Sequence, residues 1–175
     1  MLITKKMVLA ALFLTIEIIL SRFLSISTPI LKIGFGFLPL MLSAVILGPK
    51  YSVILGGLAD FIGSNLFPTG PYFPGFLLSG MLSGYIYGVF LYKNPQKIMS
   101  DKQFLIRLIV SVFLVLLFVN TILNTIWILI IQKRTVYIVF FPRLLKQLIM
   151  FPIQVMSIYW LEKWLRERIK FLFNL

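Results

Sequence analysis

FLIRLIVSVFLVLLFVNTILNTIWILII, running from Phe104 to Ile131, decides how this chain folds. It holds one formal charge, Arg107, in a stretch longer than the roughly 20 mostly apolar residues that take a helix across a bilayer. The composition agrees. Of the 175 residues, 60% are apolar, and mean hydropathy is +1.01, whereas a soluble domain is about half apolar. Residues 1–175 accommodate about six crossings as one domain, with no room for an appended ATPase or hydrolase. The expectation is an all-α integral membrane protein, a bundle of six transmembrane helices.

On either side of that stretch the other helices fall into place. The first is expected from Lys5 to Arg22; Met7 to Leu20 follows a lysine pair as a signal peptide would, but no small-residue cleavage site comes after it. A loop with Ser25, Ser27, Thr28 and Pro29 follows. A short second helix, Phe37 to Leu47, ends at Gly48-Pro49, and a third runs from Lys50 to Asn65. The stretch from Leu66 to Gly75 is rich in proline, glycine and aromatics and is expected to be non-helical. The fourth helix covers Phe76 to Tyr92, the fifth Phe104 to Ile131, and the sixth starts at Pro142, a favoured first-turn residue, and ends near Arg168.

The chain has no cysteine and no histidine, which removes disulfides, the usual zinc sites, thiol nucleophiles and imidazole bases. No paired-carboxylate metal motif and no G-x-x-x-x-G-K-[ST] loop appears. The expected chain is therefore not an enzyme, holds no metal or cofactor, and draws energy for any transport from an ion gradient or another subunit. The net charge of +12 is read as topology bias in so apolar a chain, and no nucleic-acid partner is expected. With the amino terminus inside, eleven Lys and Arg fall on the cytoplasmic side and six outside, so both termini are expected in the cytoplasm. The six outer positives are Arg22, Lys32, Lys133, Arg134, Arg143 and Lys146. A pure topology signal disfavours them, and several are placed to meet an anion arriving from outside.

Two acids lie well inside expected spans, away from the basic tail of the sixth helix: Glu17 and Asp60. A charge at membrane depth costs roughly 3 kcal/mol and so faces a cavity or a partner; one reading is an ion pair within the bundle, with Arg22 or Lys146. Asp60 is roughly 7 Å below the outer end of its helix. Asn120 and Asn124 share a face of the fifth helix, Asn124 roughly 10 Å deep. Interhelical hydrogen bonding alone would account for either asparagine. On the sixth helix Arg143 and Gln147 are four apart, flanked by Lys146. Acid, amides and bases thus share the outer half of the bundle, a set suited to a flat heterocycle with an anionic tail. The aromatics between Phe67 and Phe76 either lie over such a ring or form an interfacial belt. Ala11 and Thr15 form a small-xxx-small pair that lets another helix approach closely.

Taken in order, Ile33-Gly-Phe-Gly-Phe-Leu-Pro-Leu40, Gly-Gly-Leu-Ala-Asp60, Phe67-Pro-Thr-Gly-Pro-Tyr-Phe-Pro-Gly75, Asn124-Thr-Ile-Trp127 and Pro142-Arg-Leu-Leu-Lys-Gln147 resemble the substrate-binding S component of energy-coupling factor (ECF) vitamin transporters, in its folate-specific branch. The resemblance covers nearly the whole chain. It implies a multi-pass protein of a bacterial cell membrane that captures folate at the outer face. It also implies a transmembrane coupling subunit and two cytoplasmic ATPase subunits that drive release by toppling the S component. Members carry an A-x-x-x-A patch on the first helix for docking; here Ala11 is followed by Thr15. Carried over, the resemblance assigns Asp60 and Asn124 to the pterin ring. It gives Arg22, Arg143, Lys146 and Gln147 to the aminobenzoyl-glutamate part, with Tyr72 and Phe73 closing over the ligand. The alternatives are an S component for riboflavin or thiamin, a small ion-driven carrier, or a membrane-embedded enzyme, which two isolated acids argue against.

Overall fold

The computed structural model describes residues 3–27, 31–68, 72–92, 99–132 and 135–168. The described residues form six helical rods. The first is α1 (Ile3–Ile18), extended by a π-helical turn, Ile19–Phe23. Then come α2 (Phe37–Leu47), α3 (Pro49–Leu66) and α4 (Pro74–Leu91). The fifth rod is α5 (Asp101–Leu114), a π-helical segment (Val115–Leu123) and α6 (Asn124–Gln132) in succession. The last is α7 (Val136–Arg168). Among the described residues, three stretches are long and apolar enough to cross a membrane: Pro74–Leu91, Asp101–Gln132 and Val136–Leu165.

Local chemistry explains most of these limits. Gly48 sits at φ 86°, a conformation open to glycine, and turns the chain sharply between α2 and α3. Pro49 and Pro74 each occupy a first turn, where the missing N–H is no loss. Ser100 starts α5 with a capping box: its hydroxyl accepts from the Gln103 N–H, and the Gln103 side chain accepts from the Ser100 N–H.

Three expectations need correction. The last rod starts at Val136, so Pro142 lies inside it with Pro152; a helix interior tolerates proline when neighbouring helices satisfy the freed carbonyl groups. Pro74 and Gly75 belong to the first turn of α4 rather than to the preceding loop. The bundle is also not purely helical: β1 (Ser25–Ser27) and β2 (Lys32–Gly34) form an antiparallel hairpin, Ser25 opposite Gly34 and Ser27 opposite Lys32.

α3 and α4 are the closest pair, and small residues allow it. A Cβ on Gly84 would run into the Ser52 carbonyl oxygen, and one on Gly56 into the Gly80 carbonyl oxygen. Ser52 Oγ donates to the Gly84 carbonyl at 2.8 Å, adding a hydrogen bond where the backbones meet. The apolar core lies away from the hairpin. Met41 and Val45 of α2, Tyr87 and Leu91 of α4, Phe104, Leu108 and Val112 of α5 and Ile158 of α7 fill it. The perimeter is apolar too, with Val8, Leu12, Ile54, Phe113, Leu148 and Trp160 exposed. At the hairpin end the rods separate and enclose a cavity.

Candidate functional site

The cavity has a volume of about 320 Å³, within the range of small-molecule pockets. Each surrounding rod contributes one polar or small-residue stripe at helical spacing. From α1 and its π turn come Glu17, Ser21 and Arg22; from α3, Gly56, Ala59 and Asp60; from α4, Phe76, Ser79, Gly80 and Ser83. The fifth rod supplies Asn120 and Asn124, and α7 supplies Arg143, Lys146, Gln147, Met150 and Gln154. Gly34 and Gly36 bring the hairpin segment over the α1 end of the wall; a Cβ on Gly36 would stand 3.0 Å from Ser21 Cβ.

The π-helical segment of the fifth rod shapes one wall. At its end the Asn124 N–H donates to the Val119 carbonyl, five residues back, instead of to Asn120, four back. That leaves the Asn120 carbonyl without its usual helical donor, and Arg143 Nη1 donates to it at 3.0 Å from α7. The wider turn thus ties the two rods together through a cation. The Asn124 amide donates to Asn120 Oδ1 at 3.2 Å, while Asn124 Oδ1 is buried with no hydrogen-bond partner among the described residues. One turn further, Trp127 Nε1 donates to Ser79 Oγ at 3.0 Å and holds this rod against α4.

On the opposite side Arg22 Nη2 lies 3.5 Å from Asp60 Oδ1. The ion-pair reading of Asp60 is therefore realised, and it coexists with a place on the cavity wall. The guanidinium crosses α3 above Gly63, where a Cβ would meet Arg22 Nε at 2.5 Å. Gly63→Ala should push the flexible end of Arg22 off Asp60 with little effect on folding. The loss of a contact of about 1 kcal/mol corresponds to roughly fivefold weaker ligand binding. An unchanged titration curve alongside an unchanged melting temperature would show that the Arg22–Asp60 contact does not matter to the ligand.

Six of the sequence-predicted ligand residues, Arg22, Asp60, Asn124, Arg143, Lys146 and Gln147, meet at this cavity. Tyr72 and Phe73 do not line it. The Tyr72 ring stands edge-on to Phe61 at 6.5 Å, and Phe73 packs 5.4 Å from Trp127. Ala11 and Thr15 lie elsewhere, exposed on the flank of α1, the Thr15 hydroxyl donating to the Ala11 carbonyl at 2.9 Å. Sequence reasoning missed the hairpin-side glycines, Ser79, Ser83 and Gln154 as lining residues, and it left Glu17 as a structural ion pair. No ion pair of Glu17 is found among the described residues. Gln154 was accessible: it continues the four-then-three spacing of Arg143, Gln147 and Met150.

Chemically the wall is polarised. Arg143 and Lys146 provide donors and positive charge, and no carboxylate pairs with Lys146 among the described residues. Asn120, Asn124, Gln147 and Gln154 supply amides, and Phe37, Phe76 and Met150 supply apolar faces. Among the described residues no three acidic side chains converge. The arrangement suits an organic molecule with a flat polar head and an anionic tail.

Comparison with known proteins points the same way. The family model for the ECF transporter, substrate-specific component, matches residues 5–162. A folate transporter FolT from Clostridium novyi (strain NT) is 41% identical over 153 residues, covering 87% of this chain and 85% of that protein. A folate transporter FolT from Leuconostoc mesenteroides subsp. mesenteroides is 36% identical over 164 residues, covering 90% and 84%. The crystal structure of FolT bound with folic acid superposes with a TM-score of 0.78 at 37% identity, covering 89% of this chain and 90% of that one.

Proposed function

Because the chain belongs to the family of ECF transporter substrate-specific components, we propose that it is the folate-binding subunit of an ATP-driven vitamin uptake system. The observation that carries this reading is the cavity wall itself, with acceptors at Glu17 and Asn124 that have no donor among the described residues and cations at Arg143 and Lys146. Folate has the matching polarity: hydrogen-bond donors on its pterin ring and carboxylates on its glutamate tail. Riboflavin and thiamin have no carboxylate for the two cations of α7.

In this reading the six rods span a bacterial cell membrane with both termini in the cytoplasm, and the apolar perimeter faces lipid. The hairpin end faces outward and takes up folate there. Asp60 and Asn124 stand at the ring, and Arg22, Arg143, Lys146 and Gln147 at the aminobenzoyl-glutamate part. Tyr72 and Phe73 close the loop side by moving towards the ligand. Ala11 and Thr15, being small and exposed, offer a flat strip on which a transmembrane coupling subunit docks, and two cytoplasmic ATPases drive release. The protein carries out no chemistry on its cargo.

Calorimetric titration of the detergent-purified chain tests the reading. One-to-one binding of folate, with no heat from riboflavin or thiamin, is the expected result. Binding of a control vitamin instead would keep the family and overturn the ligand. In vesicles, folate uptake is expected only when the coupling subunit and ATPases are present; uptake by the chain alone would make it an ion-driven carrier.

A further inference from the structure

Besides Asn124 Oδ1, two more buried acceptors on the cavity wall have no hydrogen-bond donor among the described residues. Glu17 on α1 is 8% exposed, and its Oε2 has no hydrogen-bond partner among the described residues. Gln154 on α7 is 5% exposed, and its Oε1 is in the same condition. Both line the cavity. A buried acceptor without a donor is costly, more so when charged, so the site is built to receive donors from its ligand. Asp60 differs from Glu17, because its Oδ1 already faces Arg22 at 3.5 Å.

The layout along α7 gives a direction. Arg143 and Gln154 lie on one stripe about three turns apart, roughly 16 Å along the axis. Positive charge therefore stands at one end of that stripe and an open acceptor at the other. A 2-amino-4-oxo heterocycle carries a ring N–H and an amino group side by side on one edge. A carboxylate accepts two parallel N–H donors, as it does from an arginine fork, and a neighbouring amide oxygen can take a third.

We propose that Glu17 is a specificity-determining residue that grips the donor edge of the ligand's heterocycle, with Gln154 accepting beside it. The proposal rests on the folate reading above and adds to it the group that selects the ring. Asp60, also at the ring, holds Arg22 in place as well.

The test titrates wild type, Glu17→Gln, Gln154→Met and Arg143→Ala with three probes: folate, 6-hydroxymethylpterin, which has the ring without the tail, and p-aminobenzoyl-L-glutamate, which has the tail without the ring. The fragments are measured by displacement of folate. Glu17→Gln is expected to weaken folate and the ring fragment by about 10- to 100-fold and to leave the tail fragment unchanged. Gln154→Met should do the same to a smaller extent, and Arg143→Ala should show the opposite selectivity. A thermal melt of the ligand-free protein supplies a second readout. Replacing a buried carboxyl oxygen that has no hydrogen-bond partner among the described residues with an amide of the same shape should leave the Glu17→Gln melting temperature no lower than that of wild type. A purely structural Glu17 would give a lower melting temperature with unchanged ring affinity, which overturns the proposal. Equal weakening of all three probes overturns it too. If wild type binds no folate, the functional reading itself fails.

Discussion

Arg143→Ala should lower folate affinity by about two orders of magnitude while the protein still inserts and purifies. Arg143 is 9% exposed, donates to the Asn120 carbonyl, and lines the cavity beside Lys146. Truncating a buried, hydrogen-bonded charge at a binding site costs about 2–5 kcal/mol, and each 1.4 kcal/mol is tenfold in affinity. Lysine is a poor replacement. It keeps the charge but loses the planar fork that can hold a carboxylate while still donating to Asn120. Asp60→Ala should also weaken binding, because it releases Arg22 and takes a carboxylate from the cavity wall. Calorimetry on the two variants decides the matter, and unchanged affinity in both would sink this site.

The second large effect concerns folding and separates two glycines on one helix pair. Gly84→Ala drives a methyl group into the Ser52 carbonyl oxygen, a backbone atom that cannot step aside. It also disturbs the Ser52 Oγ hydrogen bond to the Gly84 carbonyl. Overpacking of this kind costs about 1–3 kcal/mol and more when backbone is the obstacle, so a fall in melting temperature of about 10 °C is expected. Gly57→Ala meets only Met81 Cγ at 2.8 Å, a flexible thioether chain that can change rotamer. It should melt within a degree or two of wild type. Equal behaviour of the two variants would show that close α3–α4 approach does not limit stability.

Much of the architecture was legible because membrane helices announce themselves by apolar length and by glycine–proline punctuation. α2 falls on Phe37–Leu47 as expected, and α3 differs from expectation by a residue at each end. Pro142 misled for a physical reason. Its ring fits a first turn well, but Val136 to Phe141 is apolar and continues the helix in front of it. The hairpin had a signal in the alternation Ser25-Ile26-Ser27, obscured by the proline at position 29, which reads as a loop. The π-helical segments had none, since Val115–Leu123 has the same composition as an α-helix.

The site was half legible. Intramembrane charges and amides are few enough that Asp60, Asn124 and the α7 group could be set at one depth by counting residues, and the cavity gathers them. Counting cannot say which carboxylate takes the cation. Sequence proximity offered Arg22 to Glu17 as readily as to Asp60, and only the crossing of the guanidinium over Gly63 shows that Asp60 receives it. The loop aromatics were placed by composition and Tyr72 and Phe73 by the family resemblance; both rings pack on neighbouring rings rather than on the cavity.

The stretch Val115–Leu123 also sets two phases on a single rod. A π-helical turn takes up one residue more than an α-helical turn, like an insertion that was never removed. No single helical wheel can represent both α5 and α6: faces assigned from one side of the seam are wrong on the other. Removing one residue there would restore a uniform helix and swing everything beyond it by about 100°. Asn124 would turn from the cavity, and Trp127 would lose its hold on Ser79. A one-residue length change is tolerated in most loops; in this rod it would disassemble a binding wall without replacing any of the side chains that line it.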